Sequence, residues 1–311
     1  MQKIPVGISS CLLGENVRFD GGHKRDAYIT GTLNEYFDFK PFCPEVAIGL
    51  GIPRPTIQLM KVGDETRCVG SKNNDLDYTE ALRAQALQQQ AEHAQLCGYI
   101  FKKNSPSCGM TRVKVYHRET PRPIGVGVFA ETLMQNNPLL PVEEEGRLGD
   151  AKLRENFIQR VYVLHRWKNL IAEGLTPAGL TRFHARHKLM IMSHEDYREL
   201  GQLLAEVNKT NLETVAEQYI TILMQLLKKV ANRGNHVNVL QHIQGYLKKE
   251  LSADDKAELC EIIEQYRRGE VPLIVPITLP KHHFRKSPDP YIQESYYMSP
   301  YPQELQLINQ L

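Results

Sequence analysis

The chain has 311 residues, 41% of them hydrophobic and 24% charged, with a formal net charge of +2. That is ample material for packed cores and, at ~100–200 residues per domain, predicts two of them. It excludes a disordered chain and a strongly cationic one. No stretch approaches the ~18 apolar residues of a membrane span. The N-terminal MQKIPVGISSCLLG lacks the apolar core and cleavage site of a secretory signal, so a cytoplasmic protein is expected. Six cysteines are too sparse for a disulfide scaffold, and in a reducing compartment they are thiols, candidates for ligands or nucleophiles.

In chain order, short apolar runs at 3–9, 39–43, 98–102 and 125–129 predict buried strands, and the Ala-, Gln- and Leu-rich stretch 78–96 predicts a helix. Strands separated by helices imply a largely parallel sheet with helices on its faces. The segment PLLPVEEEGRLG (138–149) combines prolines, an acidic run and glycines. It is read as the boundary between an α/β domain at 1–145 and an all-α domain at 146–311. Amphipathic stretches at 156–172, 177–192, 193–209, 212–232, 238–251 and 253–268 predict the helices of the second domain. Thr176 before Pro177, Ser193 with Asp196, and Ser252 supply helix-start signals. From Val271 onward, seven prolines and several tyrosines show no period, and an extended tail is expected.

Three cysteines share a setting just past an apolar strand and before a turn: Cys11 in GISSCLLG, Cys43 in KPFCPEVAIGLG and Cys108 in KKNSPSCGM. In an open parallel sheet the carboxyl ends of the strands line one crevice, which brings distant cysteines together. Three thiolates are able to hold a [4Fe–4S] cluster by three irons and leave the fourth open to substrate. A zinc site competes with that reading, although no C-x-x-C pair is present. Cys68, Cys97 and Cys260 do not share the setting and are read as small buried hydrophobes.

The segments CLLGENVRFDGGHK (11–24), CPEVAIGLGIPRP (43–55) and KKNSPSCG (102–109), in this order, resemble the signature segments of the thiouracil desulfidase family, TudS. The resemblance implies a Rossmann-type α/β domain in which Cys11, Cys43 and Cys108 bind a [4Fe–4S] cluster whose open iron takes the thiocarbonyl sulfur. It implies Glu45 and Ser105 as the catalytic polar residues. Glu45 suits a general base or proton shuttle, while the competing reading is a glutamate opening a helix after Pro44. Ser107 flanks the same proline as Ser105. Arg18, Asp20 and Lys24, in a glycine-rich loop, suit either a phosphate or ribose or an ion-pair network of their own.

The second half holds 21 of the Lys and Arg residues against 18 Asp and Glu, and eight of the 11 histidines. Arg160, His165, Arg166, Arg182, His184, Arg186, His187, Lys188, Arg233 and His236, with Trp167, form a set suited to phosphate contact and stacking. On pattern alone a solvated charged face is the commoner explanation. The segments 156–168, 183–194, 232–249 and 266–283 resemble the helical partner domain of fused relatives, RudS, similar to tRNA 4-thiouridine desulfidases. The resemblance implies a redox-neutral desulfidase that converts 4-thiouridine in tRNA to uridine. Desulfidation of free thiouracil or a thiolated nucleoside, and a non-catalytic iron–sulfur RNA-binding or sensor protein, are the rival readings.

Overall fold

The computed structural model describes residues 2–117, 120–194, 198–302 and 305. The chain divides into two compact units, Met1–Asp150 and Ala151–Leu311. The first is a parallel-sheet α/β unit and the second is helical.

The first unit runs β1 (Ile4–Ser9), α1 (Ala27–Thr30), β2 (Phe37–Phe42), α2 (Pro44–Ala47), β3 (Ile57–Val62), β4 (Glu65–Gly70), α3 (Thr79–Gln88), α4 (Gln90–His93), β5 (Gly98–Phe101), β6 (Val113–His117), β7 (Thr120–Gly125), α5 (Val128–Asn136) and β8 (Val142–Glu144). One four-stranded sheet has the order β2-β1-β5-β8, with every neighbour parallel. Its central strands are apolar on both faces, because packing covers both: Val6, Ile8, Tyr99, Ile100 and Phe101 are all buried. β1 sends the chain outward to β2 on one side, and β5 lies on the other, which opens a crevice beyond the carboxyl ends of these strands.

A second sheet, β4-β3-β6-β7, was not legible as apolar runs. It consists of two antiparallel hairpins joined by the parallel pair β3 and β6. β7, TPRPIG, is mostly exposed, and an exposed edge strand with two prolines carries neither apolar run nor alternation. Leu59, Cys68, Leu82, Val113, Val115 and Val128 pack beneath this sheet.

Three expectations for this unit need correction. Residues 125–129 do not form a strand: β7 ends at Gly125 and α5 begins at Val128, its first turn bonded to a neighbouring loop described below. The helix expected over 78–96 is broken at Gln89 into α3 and α4. The acidic run at 143–145 is no linker. β8 contains Glu143 and Glu144, the carboxylate of Glu144 accepts from the backbone N–H of Met110 (2.8 Å), and Glu143 accepts from Arg147 Nε (2.6 Å).

The second unit comprises α6 (Ala151–Ala172), α7 (Pro177–Met192), α8 (Arg198–Ala205), α9 (Leu212–Lys228), α10 (Arg233–Tyr246), α11 (Ala253–Arg268), α12 (Ile274–Lys286) and α13 (Pro290–Glu294). The Thr176 hydroxyl accepts from Gly179 N ahead of Pro177, and Ser252 with Asp255 forms a capping box. Ser193 instead ends α7, and Asp196 lies outside the described residues. The tail is not extended, since α12 and α13 occupy it. Pro276 falls in the first turn of α12, where no amide partner is needed, and Pro280 removes one internal bond while its ring is buried. Trp167 packs against Phe183 (ring centroids 5.3 Å) and Tyr219 (6.0 Å) in the core. Among the described residues no helix is long and apolar enough to cross a membrane.

Candidate active site

The carboxyl ends of the first sheet deliver the three cysteines singled out by the sequence. Past β1 the chain makes a single 3₁₀ turn over Ser10–Leu13 that carries Cys11. The carbonyl of Cys11 accepts from Lys24 N (2.8 Å), which folds the glycine-rich loop back onto the turn. Past β2, Cys43 is the N-cap of α2, with Pro44 as the first helical residue and Glu45 in the first turn.

Past β5, a loop carries Ser105, Ser107 and Cys108. Ser105 Oγ accepts from Cys108 N (3.1 Å) and Ser107 N (3.3 Å). The carbonyls of Pro106 and Ser107 accept from Val128 N and Ala130 N (3.1 Å each), so the loop satisfies first-turn amides of α5 that have no partner within the helix. A Cβ on Gly127 would sit 2.6 Å from the carbonyl of Ser107, which is why this N-cap has no side chain.

Burial raises all three thiols, Cys11 to about 11, and Cys43 raises both Cys11 and Cys108 further, while Glu45 raises Cys43. Lys102 and Arg18 pull Cys11 the other way, and Arg54 does so for Cys43. Tyr99 lies beneath them on β5. Its hydroxyl is buried without a hydrogen-bond partner, and its charged neighbours are Cys108, Cys43 and Cys11. Among the described residues no three His, Cys, Asp or Glu side chains converge on a single ion. Thiolates are soft ligands of the kind that iron–sulfur clusters and zinc both take. Cys68 and Cys97 are buried, and Cys260, contrary to expectation, is exposed on α11.

A cavity of about 640 Å³ opens at these strand ends, lined by Cys11, Cys43, Glu45, Ser105 and Arg54 among others. Glu45 is fixed on both oxygens. Arg54 donates to Oε2 from Nε (3.0 Å) and Nη2 (2.8 Å), and the Ser107 hydroxyl donates to Oε1 at 2.6 Å. Arg54 in turn donates to the carbonyls of Gly51 (3.0 Å) and Val17 (2.9 Å). Its return is made by a turn in which Gly49 and Gly51 adopt φ of +82° and +72°, open to glycine and strained for other residues. Ser105 Oγ lies 2.9 Å from Ser107 Oγ, completing a line of oxygens from Glu45 to Ser105. Ser107 is fully buried, whereas Ser105 faces the cavity. Lys102 pairs with Glu145 at the same rim.

Residues 6–145, nearly all of the first unit, match the sequence model of the family described as 2-thiouracil desulfurase. The first unit belongs to the 2-thiouracil desulfurase family. Residues 188–302 match a second family, described as a protein of unknown function, DUF1722. The chain is 34% identical over 151 residues to a protein of Escherichia coli (strain K12) described as uncharacterized protein YbgA, covering 48% of this chain and 89% of that one, and belongs to its family. A solved structure described as the [4Fe-4S]-dependent thiouracil desulfidase TudS is 30% identical, with a TM-score of 0.38 over 48% of this chain and 95% of that chain.

Beside the desulfurase unit's site, Arg54, Tyr99 and the Lys102–Glu145 pair are features that motif reading did not single out. The signal for Arg54 was available, because an arginine between two prolines in IPRP is a charge in a rigid segment. Arg18 and Asp20 pair with each other at 3.3 Å, while Lys24 remains exposed.

In the second unit, much of the basic set turns inward. Arg160 is buried with Nε bonded to Asn156 (2.9 Å). Arg166 lies 3.6 Å over the Tyr296 ring and donates to the Pro300 carbonyl. His187 is buried on the carbonyl of Phe183 (2.8 Å), His184 meets the Tyr219 hydroxyl (3.1 Å), and His236 that of Tyr297 (2.9 Å). His165 is half-buried, Arg186 pairs with Glu294, and Arg233 lies 5.4 Å from the centre of the Tyr266 ring. Arg182 and Lys188 are exposed. Trp167, a core residue, has no face open for stacking on a base.

Proposed function

We propose that this chain is a desulfidase that converts 4-thiouridine in tRNA to uridine, with Cys11, Cys43 and Cys108 holding a [4Fe–4S] cluster at the base of the cavity. The observation that carries the reading is a cavity at the strand ends lined by the thiols of Cys11 and Cys43, with Cys108 on the adjoining loop and a carboxylate locked between an arginine and a serine. The site fits such a group: thiolates are the ligands iron–sulfur clusters prefer, and the orphaned Tyr99 hydroxyl is a donor without an acceptor beside all three sulfurs. When bound, the cluster supplies an open iron that polarises the thiocarbonyl and accepts sulfur.

The chain's own residues supply the proton chemistry. Water adds its oxygen to C4 of the ring as the C4–S bond breaks, and its two protons leave with sulfur as hydrogen sulfide; no electron donor enters the balance. Glu45, held by Arg54 so that Oε1 faces Ser107, accepts the water proton. The Ser107 and Ser105 hydroxyls carry a proton between Glu45 and the cavity. The tRNA substrate rests on the resemblance of the second unit to the partner domain of tRNA desulfidases. Free thiouracil is the second reading, favoured by a cavity lined wholly by residues of the first unit.

The test is anaerobic. The chain is reconstituted with iron and sulfide and incubated with tRNA containing 4-thiouridine, while thiobase absorbance and released sulfide are followed. Loss of absorbance matched by sulfide, and abolished in Cys11→Ala, Cys43→Ala and Cys108→Ala, is the expected result. Consumption of free thiouracil with tRNA untouched would leave the second reading.

A further inference from the structure

Packing does not account for the hydroxyl of Tyr99. Its ring lies on β5 among those of Phe101 (centroids 4.4 Å), His93 (6.2 Å, edge-on) and Phe129 (6.3 Å). It also lies so close to β1 that a Cβ on Gly7 would come within 2.3 Å of Tyr99 Cδ2. The residue is 1% exposed, and its hydroxyl bonds to none of the described residues. Its neighbours Phe101 and Phe129 fill the same core without stranding a donor. A phenylalanine at position 99 would do so too, since a buried hydroxyl without a partner costs its full desolvation. His93 Nδ1 is buried and unpaired as well, on a ring that burial pulls down to about 4, but the two orphaned atoms do not bond to each other.

The hydroxyl lies within reach of the thiols. β5 runs into the loop of Cys108, and β1, parallel to it, runs into the turn that carries Cys11. Cys108, Cys43 and Cys11, in that order, are the charged neighbours of the phenol. The three cysteines are unequally provided for. Lys102 and Arg18 act on Cys11, and Arg54 acts on Cys43. The groups that act most on Cys108 include no cation: beyond burial they are Cys43, Glu45 and the hydroxyls of Ser107 and Ser9. The Ser107 hydroxyl is already engaged by Glu45 at 2.6 Å. The thiolate of Cys108 is therefore the least supported of the three, and Tyr99 beside it holds a proton that no described residue accepts.

We propose that Tyr99 donates a hydrogen bond, from inside the core of the first unit, to a sulfur of the cluster bound by Cys11, Cys43 and Cys108. The inference rests on the three-cysteine cluster of the reading above and adds a residue that holds and tunes it. A hydrogen bond to sulfur favours the more negative state of an iron–sulfur centre and is one of the levers by which a protein sets its potential. It also explains the choice of tyrosine over phenylalanine at position 99, as a donor whose acceptor arrives with the metal.

Tyr99→Phe keeps the ring and removes the oxygen alone. In the full chain without metal, urea unfolding followed by circular dichroism should show a midpoint equal to or above that of the unaltered chain, because the lost hydroxyl had no partner. After anaerobic reconstitution with iron and sulfide the order reverses. The variant should release iron to a chelator roughly threefold to tenfold faster, and its one-electron reduction equilibrium should move by a similar factor toward the oxidised form, a part of one hydrogen bond to a charged acceptor. Electron–nuclear double resonance of the reduced cluster, in light and heavy water, should show one exchangeable-proton coupling fewer in the variant.

An unchanged potential with the same exchangeable couplings in Tyr99→Phe overturns the hydrogen bond. So does a metal-free variant less stable than the unaltered chain, which would mean that the fold itself already satisfies the hydroxyl. Failure of the underlying reading looks different. If the unaltered chain takes up no iron and sulfide, the three-cysteine cluster falls and this bond with it; if uptake and thiobase turnover are intact while Tyr99→Phe is indistinguishable, the bond alone falls.

Discussion

Glu45 is the residue on which the site's chemistry turns, and what distinguishes it from a glutamate that merely opens a short helix is Arg54. With its side chain 2% exposed, Arg54 spends every contact on Glu45 and on two backbone carbonyls. Arg54→Ala leaves a buried carboxylate without its partner, and the first unit should lose about 3–5 kcal/mol in urea unfolding followed by circular dichroism, with turnover lost as well. Glu45→Gln keeps the shape but leaves the buried Arg54 guanidinium without its counter-charge, so some stability should be lost while kcat falls by roughly 10²–10⁴. The two serines separate by a different measurement. Ser105 accepts the amides of Ser107 and Cys108, so Ser105→Ala should loosen the loop and lower iron content after reconstitution. The Ser107 hydroxyl reaches Glu45, so Ser107→Ala should retain iron and lose kcat. Equal iron content in both variants with equal kcat would remove this division of roles. Cys11, Cys43 and Cys108 were legible because each repeats one local setting; Arg54 and Tyr99 were not, because their meaning lies in partners distant in sequence.

At the level of elements, the loop that bears Cys108 and the helix α5 depend on each other. The loop's carbonyls cap the helix, and the absence of a side chain at Gly127 lets the two approach. Gly127→Ala places a methyl group 2.6 Å from the Ser107 carbonyl and 2.7 Å from Gly109 N, contacts that require backbone to move. Iron bound per chain should fall in this variant, while Gly245→Ala, where an added Cβ meets nothing within 4 Å, should leave it unchanged. This same coupling explains why the sequence misled over 125–129. The run GVGVF is apolar and β-branched, and local propensity favours a strand, but the chain turns into a helix where a tertiary partner receives its first amides. Prolines misled in the opposite direction in the tail, since Pro276 and Pro280 stand four apart and bury one face of α12. The helices α7 and α11 were read to the residue because their caps are written locally, in Thr176-Pro177 and in Ser252 with Asp255.

For the whole molecule, charge divides by position and not by count. The first unit presents Lys24, Lys103 and Lys114 to solvent at its cavity, whereas the second unit folds several of its histidines inward, where burial pulls His187 down to about 3 and His184 and His236 to about 4. Arg166, Arg186 and His184 surround His187 with further positive charge, and only the Phe183 carbonyl favours its protonation. The linkage follows in sign. An unfolded histidine binds a proton near pH 6.5, while the folded ones refuse it until about pH 4 or 3, so the unfolded chain binds more protons in between. Stability of the second unit is therefore complete above about pH 6.5 and falls as pH drops through that window. The slope is roughly 1.4 kcal/mol per pH unit for a fully buried group such as His187. Trp167, the only tryptophan, is buried in the second unit against Phe183 and Tyr219, so its fluorescence reports that unit alone. Urea unfolding followed at Trp167 should show a midpoint that declines from pH 7 to pH 4, and His187→Leu should flatten part of that decline. A midpoint independent of pH across this range would mean that the buried histidines are already charged in the folded chain.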